Sequence, residues 1–157
     1  MRLRKILVPV AMGAIGIATL AGPASAKPTN AGTESFSFTT DINNEGGGPV
    51  TASGVINDQG TDVVVSDSED TFVFPDGQIT VFHSPRHSND KFSEKKCTFS
   101  FTERGTYVFG NGTGAWEGYT GSGRYTVRGS ATNACGPAPI GTVTINASGP
   151  INPPPQD

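Results

Sequence analysis

The chain has 157 residues, with 11 Lys+Arg against 14 Asp+Glu, 21 glycines, 12 prolines and two cysteines. A net charge of −3 offers no basic surface on which a nucleic-acid backbone could be neutralised. The length suits one domain with a real hydrophobic core and leaves no room for a second.

The start reads Met1-Arg-Leu-Arg-Lys5, then an uncharged apolar run from Ile6 to Leu20, then Ala24-Ser-Ala26. A basic head, an apolar centre and a small-x-small end are the parts of a secretory signal peptide, so residues 1–26 are expected to be removed. Pro9, Gly13 and Gly16 interrupt the run and argue against a retained membrane anchor. Loss of Arg2, Arg4 and Lys5 removes three of the 11 basic residues and none of the 14 acidic ones, leaving a charge of −6. The product is expected to be secreted, with no membrane attachment after cleavage. In that oxidising space Cys97 and Cys135 are expected to form one disulfide. A reactive-thiol role finds no CxxC partner.

Residues 27–34 read as a flexible polar lead and residues 35–149 as the folded domain. From Ser35 to Asn43, Phe36, Phe38, Thr40 and Ile42 alternate with polar residues, the pattern of a half-buried strand. Glu45-Gly-Gly-Gly-Pro49 breaks it, and Val50 to Asn57 is extended again, with Gly54 as a bulge candidate. Asp58-Gln-Gly60 reads as a turn. Thr61 to Ser66 is a β-branched strand, and Asp67-Ser-Glu-Asp70 a solvated turn without the glycine hinge or distal glutamate of a calcium loop. Thr71 to Phe74, Pro75-Asp-Gly77 and Gln78 to His83 form the clearest hairpin, because Pro-Asp-Gly presets the turn dihedrals.

Ser84 to Lys96 is polar and reads as a loop. Its His83-x-x-x-His87 spacing lacks the glutamate of a zinc helix, so no metal site is expected, and Ser93-x-x-Lys96 sits in too short a chain for a serine hydrolase. Cys97 to Glu103 alternates, Arg104-Gly105 reads as a tight turn, and Thr106 to Phe109 is the next strand. Then comes Phe109-Gly-Asn-Gly-Thr-Gly-Ala-Trp-Glu-Gly-Tyr-Thr-Gly-Ser-Gly-Arg-Tyr125, which reads as a turn module rich in glycines and large aromatics. Arg124 to Arg128 and Ile140 to Ala147 alternate once more around a loop at residues 131–139. Residues 150–157 form a proline-rich tail.

No segment keeps a 3.6 period, and about eight short strands follow one another through short connections. The expected fold is all-β: a single eight-stranded antiparallel β-barrel, mostly up-and-down, whose closure removes exposed edges.

Asn111-Gly-Thr-Gly-Ala-Trp-Glu-Gly-Tyr-Thr-Gly-Ser-Gly123 resembles the glycine-aromatic signature of the allene oxide cyclase barrel superfamily, to which the dirigent proteins belong. The motif covers about a tenth of the mature chain. The resemblance implies an eight-stranded barrel around a cavity for a small hydrophobic molecule, frequent assembly into homotrimers, and isomerisation or cyclisation without a metal or organic cofactor. Asp41-Ile-Asn43 followed by Pro49 is similar to the Glu-Ile-Asn and downstream proline of the plant cyclases. That similarity implies Asp41 as catalytic acid and Asn43 as a holder of water or ligand, although the acid is a methylene shorter and the proline one residue closer. On residue preference alone the pair ends a strand and starts a turn.

The two sides of this strand compete. Either Phe36 and Phe38 fill the barrel and Asp41 meets solvent, or Asp41 faces the cavity and the phenylalanines need an oligomer interface. His83 shares a face with Ile79 and Val81 and is a further ligand-binding candidate. Trp116 and Tyr119 either line a mouth and bind ligand or plug a barrel end. The functional expectation is a secreted barrel that binds a small hydrophobic molecule, with isomerase or cyclase activity as its enzymatic form. Its competitor is a non-enzymatic secreted barrel with a filled interior, serving adhesion, inhibition or surface interaction.

Overall fold

The computed structural model describes residues 31–44 and 47–155. The expected signal peptide, residues 1–26, lies outside them. Eight strands run in chain order: β1 (Gly32–Asp41), β2 (Pro49–Gly54), β3 (Asp58–Ser66), β4 (Glu69–Phe74), β5 (Gly77–Ser93), β6 (Thr98–Gly114), β7 (Thr120–Thr132) and β8 (Ile140–Asn152). Each pairs antiparallel with the next and β8 pairs with β1, giving one closed up-and-down barrel. No α-helix occurs among the described residues; Glu94–Lys96 is a single 3-10 turn.

Several strands run further than periodicity predicts. β1 takes in residues 32–34, assigned above to the flexible lead, and β8 continues through Asn152 into the expected tail. β3 begins at Asp58, so the turn lies before it and not at Asp58-Gln-Gly60. The polar stretch after His83 is strand to Ser93, paired with β6 from Pro85↔Gly105 to Ser93↔Thr98. This long hairpin is solvated over most of its length on the β5 side, so no apolar alternation marks it. β6 passes straight through Arg104-Gly105 without a turn. Gly105 serves packing: a side chain there would strike the Ser84 carbonyl and the Tyr125 ring.

The same logic reorganises the glycine module. Only residues 115–119 form the turn, and the flanking glycines lie within β6 and β7. Across these two strands the register sets Phe101 opposite Gly129, Gly105 opposite Tyr125, Tyr107 opposite Gly123 and Phe109 opposite Gly121. A Cβ at Gly121 or Gly129 would enter the ring of its partner. Each ring thus lies over a residue with no side chain, which lets large aromatics fill a narrow barrel. One inward pair in this ladder, Glu103↔Val127, departs from the pattern.

Phe36 is the hub of the interior. Its ring lies 5.3 Å from Phe72, 5.8 Å from Phe109, 6.0 Å from Trp116 and 6.3 Å from Tyr107, mostly edge to face. That is the arrangement aromatic quadrupoles favour. In an up-and-down barrel alternate turns share an end. The β2–β3, β4–β5 and β6–β7 turns lie at one end with the Gly32↔Ile151 pairing, and Trp116 and Tyr119, both fully buried, plug it. Trp116 stacks on Phe74 at 4.9 Å, and the Ala115 amide donates to the Asp76 carbonyl. The other end carries the β1–β2, β3–β4, β5–β6 and β7–β8 connections. There the Cys97–Cys135 disulfide joins the tip of the long hairpin to the β7–β8 connection.

Candidate ligand-binding site

The interior is not filled throughout. A cavity of about 90 Å³ lies between the aromatic hub and the unplugged end. Its apolar wall comes from inward positions of six strands: Phe36 and Phe38 of β1, Phe72 of β4, Val81 of β5, Tyr107 of β6, Val127 of β7, and Ile145 and Ala147 of β8. The period-two alternation of each strand delivers these side chains inward.

Polar groups gather on one side. Asp70, two residues before Phe72 on β4, and His83, two after Val81 on β5, follow the same parity into the cavity, and His83 Nε2 lies 3.2 Å from Asp70 Oδ2. On the facing strands the Tyr125 hydroxyl donates to Glu103 Oε1 at 2.8 Å. The His83 and Tyr125 rings meet edge to face at 5.8 Å, so the two pairs form one rim. It sits at the ladder step where Glu103 and Val127 replace an aromatic and a glycine.

Asp62 of β3 lies behind this rim. It is only 3% exposed and its Oδ1 has no hydrogen-bond partner. Burial, reinforced by the Asp70 charge and relieved in part by His83, pushes its carboxyl up to about 7. The Gly47-Gly48 connection closes over it: the Asp62 amide donates to the Gly48 carbonyl, and Gly47, at φ +92°, leaves no space for a side chain against the Asp62 backbone. The hydrogen bond to Asp70 holds the His83 imidazole above its ordinary range against the opposing effect of burial, and the charges of Glu103 and Asp62 add to it.

Tyr107 completes the polar set. It lines the cavity, is 3% exposed, and its hydroxyl has no partner. Burial, with the charge of Glu34, pushes it up to about 12. Glu34 itself is fully buried beneath the hub, where burial raises its carboxyl while backbone amides offset that in part. Its Oε2 accepts from the Ile56 amide at 2.9 Å, fixing the β2–β3 turn.

Of the residues proposed from sequence, His83 alone lies in this cavity. Phe36 and Phe38 point inward, so Asp41 points out. It is exposed, and its Oδ1 accepts from the Asn43 amide and from Asn43 Nδ2, both at 2.8 Å, which draws its carboxyl below the ordinary range. Asn43 Nδ2 also donates to the Pro139 carbonyl, so the pair ties the end of β1 to the β7–β8 connection. Trp116 and Tyr119 stand at the plugged end, with Phe36 between Trp116 and the cavity.

Asp62, Asp70, Glu103, Tyr107 and Tyr125 carry no sequence signal that marks them as site residues. Parity with Phe72 and Phe74 turns Asp70 inward, but the acidic run Asp67-Ser-Glu-Asp70 reads as a solvated turn. The predicted turn at Arg104-Gly105 broke the alternation that carries Glu103 inward. Among the described residues no group of three His, Cys, Asp or Glu side chains is disposed to hold a metal ion. Chemically, the rim can donate and accept protons beside an apolar wall, and can hold the polar end of a molecule whose body lies among the phenylalanines.

Comparison of the chain with family models finds no match. Neither the curated proteins nor the solved structures contain one that matches it.

Proposed function

We propose that this chain is a secreted barrel that binds a small hydrophobic molecule through the unplugged end, its polar end on the His83–Asp70 and Tyr125–Glu103 rim. The observation that carries the reading is the cavity itself, an apolar pocket inside an otherwise packed barrel with hydrogen-bonding groups on one side. The leader-like residues 1–26 and the Cys97–Cys135 disulfide support secretion. The likeness of residues 111–123 to the allene oxide cyclase and dirigent barrels supports the same class of ligand.

Size restricts the ligand. At about 90 Å³ the cavity is smaller than the roughly 150 Å³ that encloses a benzene molecule elsewhere. It takes a short alkyl chain or the edge of a ring, and the remainder of a larger ligand extends into the mouth. Saturation-transfer NMR with 1-hexanol tests the reading. Binding that disappears in Ala147→Phe, which fills the cavity from β8, supports it; binding that survives the substitution, or no binding of any apolar probe, defeats it.

A second reading, isomerisation by acid–base chemistry, is favoured by one observation. A histidine paired with a carboxylate, beside a carboxyl at about 7, can give and take a proton near neutral pH. Mass-neutral conversion in a screen of polyenes and lipid epoxides, lost in His83→Gln, is its expected signature. Three-fold assembly would use the outward apolar residues of β3 to β6, where Val63, Val73, Phe82 and Val108 are each more than a third exposed. The mass of the protein in solution tests it.

A further inference from the structure

The charge around the cavity narrows the ligand class further, and the argument rests on the binding role proposed above. Besides the tyrosine phenols, each strand from β3 to β6 contributes one acidic or basic side chain: Asp62, Asp70, His83 and Glu103. Three are carboxyls and one is a base. His83 is already committed to Asp70 at 3.2 Å, and Glu103 is bonded to a neutral phenol rather than to a cation. The His83–Asp70 pair therefore accounts for one carboxylate and leaves Glu103 without a basic partner among the side chains lining the cavity.

The wall adds a second, independent preference. Tyr125, whose hydroxyl meets Glu103, presents an aromatic ring to the rim of the same space, and ring faces attract cations. A ligand carboxylate would meet Glu103 with like charge in a site of low dielectric.

We infer that the barrel selects apolar amines: the ammonium group sits at the rim against Glu103, with the hydrocarbon among the phenylalanines. Fatty acids and other apolar anions are rejected.

Three probes of one chain length separate this inference from the reading beneath it. The affinities of hexylammonium, 1-hexanol and hexanoate for the protein are measured by titration calorimetry at pH 7 and low salt. The amine is expected to bind at least tenfold more tightly than the acid, with the alcohol between them. Glu103→Gln, which keeps the acceptor for Tyr125, is expected to narrow the amine-to-acid ratio to threefold or less. Equal affinities, or a preference for hexanoate, overturn the amine assignment while leaving a hydrophobic pocket. If neither hexanol nor hexylammonium binds, the pocket reading falls and the amine assignment with it. A ratio unchanged in Glu103→Gln refutes the role of that carboxylate.

Discussion

Asp62 makes stability depend on pH in an unusual direction. Its carboxyl has an ordinary value of 3.8 and is pushed up to about 7 by burial in the folded barrel. Between these values the folded state holds a proton that the unfolded chain has lost, so stability falls as pH rises through this window. Integrating the two titrations from pH 5 to pH 8 gives a loss of about 2.5 kcal/mol, since each unit of difference corresponds to about 1.4 kcal/mol. For a domain of this size that lowers the melting temperature by roughly 10 °C. Two other groups act in the same sense. His83, raised chiefly by its bond to Asp70, contributes stability below its unfolded pKa that is lost as pH passes its folded one, and Glu34, raised by burial, loses its contribution above the ordinary range. Asp41 is shifted the other way, so its contribution disappears only in strong acid, outside the window. Asp62→Asn cannot ionise and keeps the shape, so it should remove most of the decline and melt above the wild type at pH 8. Thermal unfolding followed by circular dichroism at half-unit steps from pH 5 to pH 8 measures this. A wild-type melting temperature that is flat or rising over that range, or an unchanged slope in Asp62→Asn, would refute the reasoning.

The glycine–aromatic ladder makes a separable claim. Gly129→Ala meets the Phe101 ring first, so it should cost about 1–3 kcal/mol in urea denaturation, and at least half of that cost should vanish in a Phe101→Leu background. Replacing Cys97 and Cys135 together by serine opens a 38-residue separation and should destabilise the barrel by about 4 kcal/mol on the loop-entropy account. Wild-type protein in reductant should show the same loss. Tyr125→Phe removes the hydrogen bond to Glu103 and should cost about 1–2 kcal/mol in equilibrium unfolding.

The fold was legible because alternation is a local signal. Phe72 and Phe74 before Pro75-Asp-Gly77, with Ile79 and Val81 after it, announce a hairpin whose inner face is apolar, and the structure buries all four. The polar rim was less legible because it is assembled from one residue on each of several strands, and an inward Asp or Glu looks like a solvated one until the register is known. Glycine misled for a related reason. At Gly118, with φ +77°, it makes a turn, whereas Gly121 and Gly129 are in strands and make room for rings twelve and twenty-eight positions away. A turn is a property of neighbours in sequence; a ring over a glycine is a property of neighbours in space.

The pairing of Gly32 with Ile151 brings the two ends of the barrel chain together at the face plugged by Trp116. That face lies opposite the β1–β2, β3–β4, β5–β6 and β7–β8 connections. A tag, a fused partner or a surface tether on either side would hold the barrel like a cup by its base and leave the mouth facing outward. The same adjacency makes the junction a natural seam: joining the ends with a short linker and reopening the chain at a connection on the other face would move the attachment point to the rim without breaking a strand.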